Sequence, residues 1–440
     1  MQKKLKKREL IGKVKKEKRL PVARIALWAV VFAFAAYLSL AYFPRSYRKL
    51  VAGLMPVETI TPEDLTTAYA ERRLKILLVP GHDTTDFGTS FNGVREADLT
   101  RELARELSAI LVEDGHFRVS TTRNFATGEF LPEFAAYFDT KRQDILKFRI
   151  ALTEMMISAV RGNRFEKRTG VGHNTAPERV LRKLYGINKW ANERDIEVTL
   201  HIHFNDHAGR RPGRVGNYEG FTIYVPERQF SSSRASRLLA EGMFNQLKQR
   251  FSVSTLPGES AGITGDQELI AVGAHGSLDG VGLLVEYGYI YEPQFISATL
   301  RAAVLRELAH QTYAGMKRYF EPQAALDETT LLPHQWQAPL ARGADGSRDV
   351  LALQTALHTE GLYPPPGKNL ADCSLTGTFD SCTEAAVRLF QEKYAAEILG
   401  PAGLTSASGS VGPATVRKLN ELYGGGKGAS AAVDTKVALR

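Results

Sequence analysis

Apolar and polar positions divide the chain into three stretches of different grain. Residues 25–43 run for nineteen positions without a charged side chain and include Trp28, Phe32, Phe34, Tyr37 and Tyr42. A helix needs about 20 apolar residues to cross a bilayer, so this run predicts one transmembrane span. From Leu74 onward, short apolar runs alternate with helical periodicities. The runs 75–80, 117–122, 197–206, 220–225 and 280–288 predict strands. Residues 97–111, 134–160, 187–193, 235–250 and 294–320 predict helices, and Leu99, Leu103, Leu107 and Ile110 fall on one side of the first. The unbroken run Ile76-Leu77-Leu78-Val79 suits a strand covered on both faces, the habit of a parallel sheet. The expected architecture over 73–322 is therefore α/β, a three-layer αβα domain with a mainly parallel twisted sheet.

The last stretch is helical. Val350, Leu353 and Leu357, then Ala386, Leu389 and Phe390, have the spacing of apolar helix faces, which predicts a small all-α domain of three helices over 341–424. Residues 323–340 read as a flexible linker and 425–440, rich in Gly, Ala and Lys, as a disordered tail. Residues 44–72 form a connector in which Thr61 caps a short helix beginning at Pro62. Residues 125–187, with the polar loop around His173, form a helical insertion. It fits two roles, a cover for one face of the sheet or a wall of the site that receives substrate or a protein regulator.

Charge sharpens this division. The formal net charge is +9, and residues 1–24 alone hold eleven Lys or Arg against Glu9 and Glu17, so the remainder is neutral. Nucleic acid is thereby ruled out as the expected partner, and the basic segment instead marks the cytoplasmic flank of the span. The amino terminus is expected in the cytoplasm, residues 25–43 in the lipid bilayer as a single-pass anchor, and everything after Arg45 outside. A cleaved signal peptide ending near Ser39-Leu40-Ala41 is the alternative. Cys373 and Cys382 are the only cysteines. Outside the membrane they are expected to pair as a disulfide, with free buried thiols as the alternative.

Candidate chemistry gathers at the predicted strand ends. His82 follows Gly81 at the end of the first strand, and Glu96 lies in the first turn of the following helix. Side chains alternate along a strand, so His201 and His203 share a face, with His203 nearer the carboxyl end and His201 placed to orient a ligand or water. Glu286 ends the apolar run 281–285. Two histidines and one carboxylate can hold catalytic zinc with a position left for water, and a second carboxylate can move the proton. Arg123, at the end of the second strand, either touches substrate or ties two loops together. Asn205 is a further polar candidate at the end of the histidine strand.

These blocks resemble a known family. Leu77 to Asp83, Arg95 to Leu99, Thr122-Arg123, Leu200 to Asn205 and Leu284 to Gly288 match, in order, those of the zinc-dependent N-acetylmuramoyl-L-alanine amidases of the amidase_3 type. The resemblance covers residues 73–322. It implies that His82, Glu96 and His203 bind zinc, that Glu286 is the catalytic acid and base, and that the bond cleaved joins muramic acid to L-alanine in peptidoglycan. Residues 346–357, 377–391 and 412–419 resemble a peptidoglycan-binding type 1 module. The chain departs from the amidase pattern at Asp83, where the family has a second glycine, at His201, where a serine is common, and in its longer insertion. The expectation is a membrane-anchored extracytoplasmic amidase. Two alternatives stand beside it: a non-catalytic wall-binding protein, and a zinc peptidase cutting within the stem.

Overall fold

The computed structural model of the protein describes residues 58–168, 176–272 and 279–425. The expected basic segment, the span 25–43, the first part of the connector, His173 and residues 426–440 lie outside the described residues. Among the described residues, no helix is long and apolar enough to cross a membrane.

In chain order the elements are α1 (Pro62–Glu71), β1 (Leu74–Pro80), β2 (Ser90–Phe91), β3 (Val94–Arg95), α2 (Glu96–Asp114) and β4 (Phe117–Thr121). Then follow α3 (Pro132–Thr140), α4 (Arg142–Arg161), α5 (Glu178–Glu193), β5 (Val198–Asn205), β6 (Thr222–Pro226), α6 (Ser233–Leu247), β7 (Ile263–Asp266) and β8 (Val281–Tyr289). A short α7 (Pro293–Ile296) leads into the long α8 (Ala298–Phe320). The C-terminal region holds α9 (Arg348–Thr359), α10 (Ser381–Lys393), α11 (Ala395–Ala402) and α12 (Pro413–Tyr423).

Six strands form one sheet in the order β4-β1-β5-β8-β6-β7. Every pair is parallel except β6 with β8, so the sheet is mainly parallel as expected. Alternation along the strands sorts the core. Ile76 and Leu78 of β1, Leu200 and Ile202 of β5, and Leu283 and Val285 of β8 pack with apolar residues of α2, α6 and α8. Leu77 and Val79 face the other way, against Phe134, Tyr137 and Phe138 of α3 and Tyr185, Ile187 and Trp190 of α5. The insertion thus supplies the third layer over the β1 side of the sheet. His201, His203 and Glu286 alternate with the first set and so point to the insertion side.

The C-terminal region differs from the expected three helices, because α11 is present as a fourth. Its sequence Ala395-Ala396-Glu397-Ile398-Leu399 favours a helix, buries Ile398 and ends at Gly403 in a left-handed conformation. Gly400 and Pro401 hide it from a reading that treats both as breakers. Cys373 and Cys382 are joined as a disulfide.

The connection 323–340 is packed rather than loose. Thr330 donates its backbone N–H and its hydroxyl to Glu307 of α8, each at 2.7 Å. Trp336 is 1 % exposed, and its indole N–H donates to the Asp349 carbonyl at 2.9 Å. Trp336 also exchanges backbone bonds with the Asn420 side chain, each at 2.8 Å. Apolar residues of α8 and of α9, α10 and α12 then form one continuous core. A composition rich in Pro and Gln concealed this docking, since one buried tryptophan and one buried carboxylate carry it.

Candidate metal centre

The turn after β1 is tightly specified. Gly81 donates its N–H to the Ile202 carbonyl at 2.9 Å, holding the turn against β5. A side chain on Gly81 would place its Cβ 2.4 Å from the His203 ring. His82 then adopts φ +62°, a left-handed conformation uncommon for a residue with a Cβ. That backbone swings its imidazole toward the first turn of α2. Gly88, at φ +69°, leaves room for the same ring and for Glu96, since a Cβ there would lie 2.4 Å from Glu96 Oε2.

Glu96 is the hub. His82 Nε2 lies 3.1 Å from Glu96 Oε2, and His203 Nδ1 lies 2.9 Å from Glu96 Oε1. The backbone N–H groups of Thr89 and Phe204 each donate to it at 3.2 Å. Burial pushes this carboxyl up, but its bonds to His203 and His82 outweigh that and hold it well below the usual carboxylate range. Its place at the amino end of α2 favours the anion further. Burial pulls His82 down, and the Glu96 carboxylate more than reverses this, leaving the imidazole above its ordinary value.

One ligand atom from each of His82, Glu96 and His203 lies within 4.8 Å of the others, a group that could hold a metal ion. Two ring nitrogens and a carboxylate oxygen make a donor set suited to a four-coordinate centre with one open position. Opposite them, Glu286 pairs in register with His203 across β5 and β8. It is buried, and its Oε2 has no hydrogen-bond partner. Burial first, then the charges of Glu96 and Glu259, raise its pKa well above the ordinary value.

The remaining candidates fall into different places. His201 is 1 % exposed, lines the same cavity, and has no hydrogen-bond partner at either ring nitrogen. Burial, then His203, lowers it to about 3, so it is neutral. Asn205 also lines this cavity, and its Nδ2 donates to Glu259 at 3.0 and 3.3 Å. Tyr224, Ser254 and Tyr289 donate hydroxyls to the same carboxylate at 2.7, 2.6 and 3.2 Å, so Glu259 is a knot joining three strand ends. It sits in a loop between α6 and β7 with no motif around it.

Asp83, which stands where the resembled family has glycine, organises the loop. Its Oδ1 accepts from Thr85 N–H, Thr85 hydroxyl and Asp86 N–H at 2.8, 2.6 and 2.9 Å. Its Oδ2 pairs with Lys183 of α5. Burial raises the Asp83 carboxyl, but Lys183 and Thr85 outweigh it and hold it far below its usual range. Arg123 Nη1 lies 3.7 Å from the same carboxylate, and its guanidinium stacks 3.5 Å over the Phe130 ring. Burial lowers the Arg123 pKa to about 10, partly opposed by Asp83. Lys183 and Phe130 belong to the insertion, and no local signal in the sequence marks either.

Asp83 therefore predicts a measurable pH effect. Its folded pKa is depressed, so its stabilisation is full above the unfolded value near 3.9 and is lost as pH falls through the lower folded value. Asp83→Ala should cost about 3 kcal/mol at pH 7, because Lys183 and Arg123 lose their carboxylate. The cost should shrink below about pH 3. Urea unfolding of both proteins across that range checks it, and a pH-independent difference would remove Asp83 from this role.

A cavity of about 390 Å³ joins these groups, lined by His82, Glu96, Arg123, Lys183, His203 and Glu286 among others. Its position, beyond the carboxyl ends of parallel strands, is where such sheets bind ligands. Two histidines, an anionic carboxylate and a buried acid thus face one cavity, a set that could hold a metal ion beside a group able to carry a proton.

Comparison with known proteins adds to this. Residues 76–148 match the N-acetylmuramoyl-L-alanine amidase family, and residues 346–419 match the peptidoglycan binding domain family. One segment of the chain, on β1 to α4, is thus similar to an amidase family, and a second, on α9 to α12, to a peptidoglycan-binding domain. Among curated proteins none matches it by sequence. Among solved structures it is similar to an N-acetylmuramoyl-L-alanine amidase from Clostridium difficile 630, at 14% identity over 57% of this chain and 99% of that one, with a TM-score of 0.35. Ami1 from Mycobacterium smegmatis gives 15% identity over 57% and 98%, with a TM-score of 0.36. AmiC2 of Nostoc punctiforme gives 17% over 56% and 97%, with a TM-score of 0.34.

Proposed function

We propose that the chain hydrolyses the amide between the lactyl group of N-acetylmuramic acid and L-alanine, with zinc held by His82, Glu96 and His203 and with Glu286 as acid and base. The observation that carries this reading is the unpaired Oε2 of Glu286, buried on the face of the sheet that presents His203. Bound there, zinc supplies a polarised carbonyl and a water acidic enough to ionise near neutral pH.

The residues of the chain do the rest. Glu286 accepts a proton from the attacking water and passes it to the departing nitrogen, while the carbon–nitrogen bond breaks and the carbonyl carbon gains the water's oxygen. Its raised pKa makes it a better proton acceptor than an ordinary carboxylate. Thr100 fixes the turn by donating its hydroxyl to the Gly81 carbonyl at 2.9 Å. Leu181 and Leu184 of α5 give the cavity an apolar lining.

Residues 25–43 anchor the chain in this reading, with the catalytic and binding domains outside the membrane. The disulfide supports that compartment, since such bonds persist where the environment is oxidising. A protein regulator acting on the insertion belongs to the same reading, supported by the exposed apolar residues Leu146, Ile150, Met155 and Ile157 on α4.

Digestion of purified peptidoglycan by the full chain, with and without a chelator, tests the reaction. New L-alanine amino termini beside intact muramic acid, abolished by chelator, are expected. Cuts within the stem would replace the amidase with a peptidase, and no cleavage by the metal-loaded protein would leave a binding protein.

A further inference from the structure

We propose that Arg123 forms a carboxylate-binding subsite in the active-site cavity, one that reads a free carboxylate on the peptide stem close to the scissile amide. This rests on the amidase reading above. An arginine keeps its charge at any ordinary pH, and a buried one needs acceptors for a fork of five N–H groups. Arg123 is 5 % exposed, yet its Nε and Nη1 have no hydrogen-bond partner.

The nearest acid does not supply them. Asp83 stands 3.7 Å from Nη1, beyond hydrogen-bond reach, with one oxygen filled by Thr85 and Asp86 and the other paired with Lys183. Phe130 meanwhile fixes the plane of the guanidinium, with the ring 3.5 Å away, and so leaves its edge as the donor surface. Backbone pairing between Arg123 and Phe130 holds both at the mouth of the insertion. A planar guanidinium held in place with donors still unused is a group that takes a carboxylate through charge-assisted hydrogen bonds.

That cavity also contains the His82, Glu96 and His203 group and Glu286. Where the second stem residue is a glutamate linked through its γ-carboxyl, its α-carboxylate stands free. Two residues of chain reach at most about 7 Å, so an amide held at the metal group carries that carboxylate into the same cavity. The subsite would select stems bearing the free acid over those in which it is an amide.

Two synthetic substrates test this with the full chain. One is a muramoyl tripeptide, L-Ala-γ-D-Glu-L-Lys, and the other is identical but for an α-carboxamide on its second residue. The expected result is a kcat/KM at least about tenfold higher for the acid, carried mainly by KM, because a site built for one polar group rejects the analogue lacking it. Arg123→Gln should bring the ratio close to one, and Arg123→Lys should keep part of it. Equal rates on both substrates with the unaltered protein would overturn the subsite even if Arg123→Gln fails to fold. A ratio that survives in a folded Arg123→Gln would place the selectivity elsewhere. Hydrolysis of neither substrate, with metal bound, would instead overturn the amidase reading and the subsite with it.

Discussion

Glu286→Gln is expected to lower kcat by about 10²–10⁴-fold while the protein keeps its full complement of metal. The amide fills the space of the carboxyl and can donate a hydrogen bond, but it cannot accept a proton from water and deliver it to nitrogen. Because Glu286 is buried and its Oε2 has no partner, the exchange breaks no ion pair or hydrogen bond at that atom. The thermal midpoint should therefore rise or stay unchanged, since the cost of burying a carboxyl beside Glu96 and Glu259 is removed. The pH profile gives a second readout. A rate limited by ionisation of Glu286 loses that limb in the variant, whereas a variant damaged only in folding keeps the limb at reduced amplitude. A kcat within a factor of about three of the unaltered protein would remove Glu286 from the proton path.

What was legible in the sequence follows from how local each signal is. The strands β1, β5 and β8 are runs of apolar residues that end in polar ones, and alternation alone places His201 and His203 on one face. The register that sets Glu286 beside His203 is the step that alternation cannot supply. Glu96 was visible as a carboxylate opening a helix, and the structure makes it the contact between both histidines. By contrast, Lys183 lies a hundred residues from its partner Asp83, in a helix whose pattern reads only as amphipathic. The two-stranded hairpin of β2 and β3, with two residues in each strand, was too short for any periodicity to register. Asn205 was readable only as a polar strand end, and its bond to a buried glutamate from a distant loop was not. Polar residues at strand ends are thus readable as a group, and their partners are settled by tertiary packing.

His203→Ala should empty the metal group and reduce kcat/KM by at least about 10³-fold, the larger of the two effects on binding and comparable on rate. His203 contributes one of three donors, and its Nδ1 is 2.9 Å from Glu96. Without it, His82 and Glu96 offer two donors, and a four-coordinate ion would have to take half its shell from water. Glu96 would also lose one of the bonds that offset its burial, so its carboxyl should titrate at a higher pH than in the unaltered protein. The fold itself should persist, because the side of β5 that packs on α2 and α8 is built from Leu200, Ile202 and Phe204, none of which the change touches. Metal analysis of purified His203→Ala and Glu286→Gln, set beside their circular dichroism, separates the two roles. Metal lost only from the histidine variant fits a ligand facing a proton carrier. Metal retained by His203→Ala and lost from Glu286→Gln would exchange the assignments and move the centre across the β5–β8 boundary.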